Sequence, residues 1–127
     1  MTSQEKIKIC LQRADDSLLA SELSRDNELA IAAVNRAYYA VFYSITALLI
    51  SKEIYPKTHS GLMNQFGQHF IKTDIFSTKL NAKVSKIFEF RNEADYDLEA
   101  FVDENEIEEA LQIAKEVITL TKEYLNV

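Results

Sequence analysis

Glycine and proline are almost absent from this chain: Pro56, Gly61 and Gly67 are the only examples among its 127 residues. Strands and hairpins need frequent turn residues, whereas a helix tolerates neither residue well in its interior. The scarcity therefore predicts an all-α protein. A chain of this length buries roughly two-thirds of its unfolded surface, so we expect one domain over residues 1–127.

Apolar residues recur at helical spacing in five segments, which are separated by short polar connections. The pattern predicts helices over residues 3–23, 27–52, 58–71, 77–94 and from 103 onward. Thr58, Ser77 and Asp103 stand at expected N-caps, because their short side chains can accept a hydrogen bond from a first-turn N–H group. Short connections between long amphipathic helices favour antiparallel neighbours. We therefore expect an up-and-down antiparallel bundle of about five helices.

The second predicted helix is apolar enough to raise the question of a membrane span, but Asn35 and Arg36 lie near its centre. A charged side chain in the middle of a bilayer is costly, so a helix buried at the centre of a bundle explains the composition better. Cys10 has no other cysteine to pair with, which favours a reducing compartment. The chain also opens with no signal-like segment. We expect a cytoplasmic protein that does not enter a membrane.

Charge is distributed unevenly along the chain, whose net charge is −6. The segment from Glu89 to the end has 12 acidic and three basic residues, whereas residues 27–88 have seven basic and three acidic ones. A nucleic-acid binder usually presents a basic face. Any contact with RNA would therefore depend on the middle segment or on a partner.

The residues that bind metals in proteins are too widely spaced here to form a recognised site. His59 and His69 are ten positions apart, and Cys10 is the only cysteine. Zinc sites usually take paired ligands that are a few residues apart. We expect neither a metal nor a cofactor.

A charged pair interrupts the apolar face of the fourth predicted helix. Leu80 and Val84 belong to that face, and Arg91 and Asp95 continue the same stripe. Burying either charge without a partner is costly, and Arg36 could meet Asp95 if the second and fourth helices pack together. Two interpretations are open. The charges form an internal ion pair that sets helix register, or an arginine holds a phosphate.

A second candidate anion site precedes the third predicted helix. Lys57, Thr58 and His59 combine an ammonium group, a hydroxyl and an imidazole with the N–H groups of a helix start, which attract anions. The alternative is that Thr58 only caps the helix while His59 packs on a neighbouring loop. The segment lacks the glycine spacing of a phosphate-binding loop, so both interpretations stay open.

Four motifs resemble those of the HEPN domain superfamily, and more narrowly of its small stand-alone prokaryotic branch. They are Arg36-Ala-Tyr-Tyr-Ala-Val-Phe-Tyr, Lys57-Thr-His-Ser-Gly-Leu, Phe70-Ile-Lys-Thr and Arg91-x-x-Ala-Asp-Tyr. The resemblance implies a helical bundle that is commonly a homodimer. It also implies a toxin–antitoxin-type pair with a minimal nucleotidyltransferase, and RNA or a nucleotide as ligand, since many HEPN proteins are metal-independent ribonucleases.

In those ribonucleases an arginine stabilises the scissile phosphate and a histidine a few residues later moves a proton, in a composite site across the dimer. This chain has Arg91, but Tyr96 stands where the histidine is expected. A phenol is a poor base at neutral pH, and Asp95 would hold its negative charge firmly if it pairs with an arginine. His59 could supply an imidazole from another helix.

Three functions fit these residues. The first is a binding and regulatory module, partnered by a nucleotidyltransferase, that holds RNA or a nucleotide with Arg36, Arg91 and the Lys57 segment. The second is a ribonuclease toxin that uses Arg91 with Asp95, Tyr96 or His59, and the third is a purely structural helical module. We favour the first because the motif histidine is missing. If such a partner adenylylates this chain, Tyr96 is the expected acceptor.

Overall fold

The computed structural model describes all 127 residues and contains five α-helices and no strand. The helices are α1 (Ser3–Asp26), α2 (Ala30–Ile50), α3 (His59–Phe66), α4 (Thr78–Tyr96) and α5 (Glu104–Leu125), and a π-helical turn (Gly67–Ile71) extends α3. The all-α fold is confirmed. Every predicted bound lies within three residues of the observed one.

Four of the five helices begin with a side-chain cap, as the pattern predicts for three of them. Each cap accepts a hydrogen bond from the backbone N–H three residues later, and the caps are Thr2, Thr58, Ser77 and Asp103. Helix α2 has no such cap and follows a tight turn in which Glu28 has a φ of 61°. The left-handed backbone conformation of Glu28 separates α1 from α2. As a result, α1 ends and α2 begins three residues later than predicted.

Helices α1 and α2 form an antiparallel hairpin. At its open end, Ile7 clusters with Ala47 and Ile50. Near the turn, the buried hydroxyl of Ser21 donates a hydrogen bond of 2.6 Å to the carbonyl of Ala33. A serine side chain reaches the backbone of a neighbouring helix only where the two axes are close, and alanine permits that approach.

Helix α4 lies antiparallel to α5, and two ion pairs join the two helices. Lys83 pairs with Glu116 at 2.9 Å, and Lys86 pairs with Glu109 at 2.6 Å. These contacts place the basic middle of the chain against its acidic end. Half-exposed pairs of this kind contribute about 0–1 kcal/mol each, so the apolar core supplies most of the stability.

Helix α2 is the central element, because it packs against α1, α4 and α5. It is also the one helix that is long and apolar enough to cross a membrane, but 67% of its most apolar 18-residue window is buried within the bundle. That burial is typical of a core helix. One stripe of α2 stays half-buried and faces the start of α3 and the end of α4; it comprises Asn35, Arg36, Tyr39, Phe42 and Tyr43.

Candidate functional site

Arg91 and Asp95 form an ion pair on successive turns of α4. The Nε atom of Arg91 lies 2.9 Å from Oδ2 of Asp95, and the two side chains keep only 15% and 19% of their exposed area. Both charges are therefore largely buried, as their place on the apolar stripe predicts. The Nε–H group makes no hydrogen bond, so the contact is close but poorly aligned. Removing two charges from water is costly, which makes the surrounding polar groups important.

Asn35 links this pair to the second arginine. Its Nδ2–H group donates to Oδ2 of Asp95 at 2.9 Å, while its Oδ1 accepts from Nε and Nη2 of Arg36 at 3.1 and 2.7 Å. The prediction that Arg36 itself meets Asp95 is therefore wrong. Successive helix residues point about 100° apart, so Asn35 faces α4 and Arg36 lies beside the contact. An amide side chain can donate and accept hydrogen bonds at the same time. An asparagine next to Arg36 on the same helix was therefore the sequence signal for a residue that bridges Arg36 and Asp95.

Tyrosine rings cover both guanidinium groups. The Cζ of Arg91 lies 4.9 Å from the ring centre of Tyr38 and 5.2 Å from that of Tyr96. The Cζ of Arg36 lies 4.8 Å from the ring centre of Tyr39. The ring faces attract the cations and hold each guanidinium in place while its remaining N–H groups stay free to bind an anion.

His59, the first residue of α3, belongs to the same cluster. Its Nδ1 shares a hydrogen bond with the hydroxyl of Tyr38, and its ring lies 4.9 Å from that of Phe42. Desolvation lowers the pKa of His59 below its ordinary value, and the positive charge of Arg91 lowers it further. The imidazole is therefore mainly neutral at pH 7, with Nε2 directed away from Tyr38.

Burial raises the pKa of Tyr38 to about 12, although the charge of Arg91 opposes the shift. The phenol therefore keeps its proton at any physiological pH. This group is 1% exposed and serves as a fixed support between the imidazole and the guanidinium. Sequence reasoning did not single it out, because a tyrosine on an apolar face looks like an ordinary core residue.

Lys57 and Thr58 lie next to His59. Together with Phe42 and other residues they line a small pocket of about 200 Å³. Thr58 is a cap, since its Oγ1 accepts from the N–H of Gly61 at 2.9 Å, and a Cβ at Gly61 would stand 2.9 Å from that oxygen. The hydroxyl is thus already used, while the Lys57 side chain is exposed.

The structure therefore brings Arg36, Arg91 and His59 to one face, around Tyr38 and Tyr39. We call these five residues the arginine–histidine cluster. It includes two permanent positive charges, and Asp95 supplies one negative charge beside it. No group of three or more potential metal ligands occurs in the structure. Two planar guanidinium groups beside a neutral imidazole are suited to binding a phosphate diester.

The same residues belong to the part of the chain that matches a known family. The sequence model of the HEPN domain matches residues 7–124. The chain belongs to the HEPN family. Arg36, His59 and Arg91 thus lie within the HEPN domain, and the predicted resemblance is confirmed.

Curated relatives of this HEPN protein come from archaea and bacteria. A Methanocaldococcus jannaschii protein named "Putative toxin" is 35% identical over 96% of this chain and 83% of its own length. A second protein of that organism with the same style of name is 34% identical over 73% of this chain and 69% of its own. A Thermotoga maritima protein named "UPF0332 protein" is 37% identical over 83% of this chain and 81% of its own.

Proposed function

We propose that this HEPN protein is the toxin-type member of a toxin–antitoxin pair and that its arginine–histidine cluster binds a phosphodiester of RNA. A minimal nucleotidyltransferase, as the family resemblance implies, is its proposed protein partner. The pair would act in the cytoplasm. The names of the two archaeal relatives support the toxin-type assignment.

The observation that supports RNA binding is the convergence of Arg36, Arg91 and His59 on one face. Each arginine is held by a tyrosine ring, so binding an anion costs little further side-chain entropy. Asp95 offsets one of the two positive charges, and the remaining charge matches the single negative charge of a phosphodiester. Arg36 and His59 also lie in residues 27–88, which have seven basic and three acidic side chains in an otherwise acidic chain.

Fluorescence anisotropy with a labelled single-stranded RNA tests this proposal. Arg91→Ala should weaken binding by roughly tenfold or more and lower the slope of log Kd against log salt by about one, because one phosphate contact is lost. Lys8→Ala is the charge-matched control, since Lys8 is exposed on α1 beside Lys122. Equal losses in both variants, or no binding by the unaltered protein, would contradict the proposal.

A metal-independent ribonuclease is the second candidate, and the place of His59 favours it. A neutral imidazole with its proton on Nδ1, donated to the Tyr38 oxygen, could accept at Nε2 the proton of a 2′-hydroxyl as that oxygen attacks phosphorus and the bond to the 5′-oxygen breaks. Arg91 could stabilise the negative charge that develops on the phosphate oxygens. The leaving 5′-oxygen would take its proton from water or from a protonated imidazole of a second protomer.

Incubation of RNA with the protein in excess chelator tests this candidate. Loss of cleavage in both His59→Ala and Arg91→Ala, with cleavage retained in His69→Ala, would establish a ribonuclease. Intact RNA with the unaltered protein would leave binding alone as the function. Loss of stability without loss of binding in Arg91→Ala would instead favour the purely structural interpretation.

A homodimer is part of the proposal. Tyr39, Phe42 and Tyr43 leave ring surface half-buried along α2, next to Arg36 and His59. Aromatic residues and arginine are enriched at protein interfaces. A second copy packed on this stripe would bring two arginine–histidine clusters together and enclose the RNA between them.

A further inference from the structure

A polar groove beside the π-helical turn is not part of the arginine–histidine cluster. It lies between that turn and α4 and has a volume of about 620 Å³. Its lining includes uncharged hydrogen-bonding side chains, namely Asn64, Gln65, Gln68, Asn81 and Ser85. Lys72 is the one charged residue among those that line it. The groove therefore offers many donors and acceptors but little net charge.

Gly67 lies in the wall of this groove, and neither its backbone nor its packing requires glycine. Its φ of −58° is ordinary for a helix, and an added Cβ would meet no atom within 4 Å. Glycine inside a helix costs about 1 kcal/mol relative to alanine. Because glycine has no side chain, the backbone at this point of the groove wall is open to close approach. The adjoining π-helical turn is a feature that occurs often at functional sites.

The groove and the arginine–histidine cluster share helix α4, because Asn81 and Ser85 line the groove and Arg91 lies further along the same helix. Asn81, Ser85 and Asn92 follow one another at i, i+4 and i+11, so they share one face of the helix. At the end of that face, Oδ1 of Asn92 accepts from Nη1 of Arg91 at 3.4 Å. Ser85 and Arg91 are about 9 Å apart along the helix axis at 1.5 Å per residue.

The wall opposite α4 is formed by α3 and the π-helical turn, and α3 begins at His59. His59, Met63 and Gly67 are spaced at i, i+4 and i+8, which places them on one side of α3 and its extension. Only the π-helical turn approaches α4 closely, whereas α3 itself does not. The space beside α4 is therefore narrower at the π-helical turn than along α3, whose first residue is His59.

We propose that this groove binds the bases next to the phosphate held by the cluster, and that the ligand is single-stranded RNA. The inference rests on the RNA-binding function proposed above. Amide and hydroxyl groups recognise base edges, which are accessible in a single strand and largely hidden in an A-form duplex. Uncharged contacts add base recognition, while the arginines supply the salt-dependent attraction to phosphate.

Gly67→Ala separates binding from stability. The added methyl group should leave the melting temperature unchanged or higher, because alanine favours the helix. It should weaken binding of a fluorescein-labelled single-stranded RNA by roughly tenfold, since it occupies the open place in the wall.

Asn81→Ala should weaken binding of the same RNA with no change in the slope of log Kd against log salt, because the lost contact is uncharged. Gln112→Ala, on the exposed face of α5, is the control for amide removal.

These experiments distinguish failure of the groove proposal from failure of the RNA-binding function on which that proposal rests. If Arg91→Ala weakens binding while Gly67→Ala and Asn81→Ala bind as the unaltered protein does, the groove proposal is overturned and the proposed function stands. A duplex of the same sequence that binds equally well overturns the single-strand assignment. If the unaltered protein binds neither RNA, both proposals fall together.

Discussion

Tyr38 and His59 share a hydrogen bond between the phenol oxygen and Nδ1, which joins the middle of α2 to the first residue of α3. The ring of the same Tyr38 lies 4.9 Å from the guanidinium carbon of Arg91. One buried phenol therefore positions both an imidazole and a guanidinium that come from different helices. An imidazole thus stands beside the HEPN arginine although no histidine follows that arginine in the chain.

Tyr38→Phe tests this support because it removes the hydroxyl and keeps the ring. The free energy of unfolding should fall by about 1 kcal/mol, the usual net value of one hydrogen bond, as measured by urea denaturation. RNA binding should weaken more than this loss of stability explains, since His59 loses its fixed orientation. Unchanged affinity in a folded Tyr38→Phe protein would show that the orientation of His59 is unimportant.

Stability should depend on pH through His59. Its pKa is lowered in the folded protein, by desolvation first and by Arg91 second, from an ordinary value of 6.5. The unfolded chain therefore binds more protons below pH 6.5, so this contribution is fully present above 6.5 and is lost as the pH falls. His59→Gln should show a smaller drop in melting temperature between about pH 7.5 and about pH 5.5. An identical drop in both proteins would remove His59 as the cause.

Asp95→Asn distinguishes an ion pair that only sets helix register from a site that also binds RNA. The variant keeps the shape of the side chain but removes the negative charge beside Arg91. Stability should fall by on the order of 1–3 kcal/mol, the cost of leaving a buried polar group without its partner, while affinity for RNA should rise several-fold, because the cluster gains one net positive charge. If the ion pair serves stability alone, urea denaturation will show the loss and anisotropy will show no gain in affinity.

The half-buried ring stripe of α2 should be the dimer interface. Tyr43→Ser removes a half-buried ring from it without changing Arg36 or His59, so sedimentation velocity should show weaker dimerisation while the fold persists by circular dichroism. Tyr124→Ser, which removes a tyrosine ring from α5 outside the stripe, is the control for the loss of one ring. A monomer at micromolar concentration for the unaltered protein would count against a site shared by two protomers.

Tyr96 should be the acceptor if a nucleotidyltransferase partner adenylylates this chain. Its side chain is 71% exposed at the end of α4, and its ring covers Arg91, whose charge could attract the incoming phosphate. Mass spectrometry of the co-expressed pair should locate the modification on the Tyr96 peptide, and Tyr96→Phe should abolish it. Modification of another tyrosine, or none, would contradict the assignment.

The fold was largely predictable because its signals are local. Helical spacing, three N-caps and the scarcity of glycine and proline act within a few residues of each other, so a single chain displays them directly. The main difference in the bounds lies at the turn between α1 and α2, where Glu28 adopts a left-handed conformation. Few residues other than glycine, asparagine and aspartate adopt that conformation readily, and no local pattern indicated it.

The partners within the site could be predicted only in part. The pairing of Arg91 with Asp95 is local, since the two residues are one helical turn apart. The roles of Asn35 and Tyr38 depend on how far α2 is rotated against α4, and rotation by one residue, about 100°, exchanges Asn35 for Arg36. Such a rotation is set by the packing of the whole core, which no short stretch of sequence displays.

The sequence by itself determined an all-α bundle, the HEPN motifs and a buried charged pair that needed partners. Only the tertiary structure decided that His59 and Arg91 meet at Tyr38 and that Asn35, rather than Arg36, binds Asp95. It also showed that Gly67 lies in the wall of a polar groove between the π-helical turn and α4. The reason is that helix formation depends on neighbours along the chain, whereas a site depends on the relative rotation and spacing of helices, which the packing of the core determines.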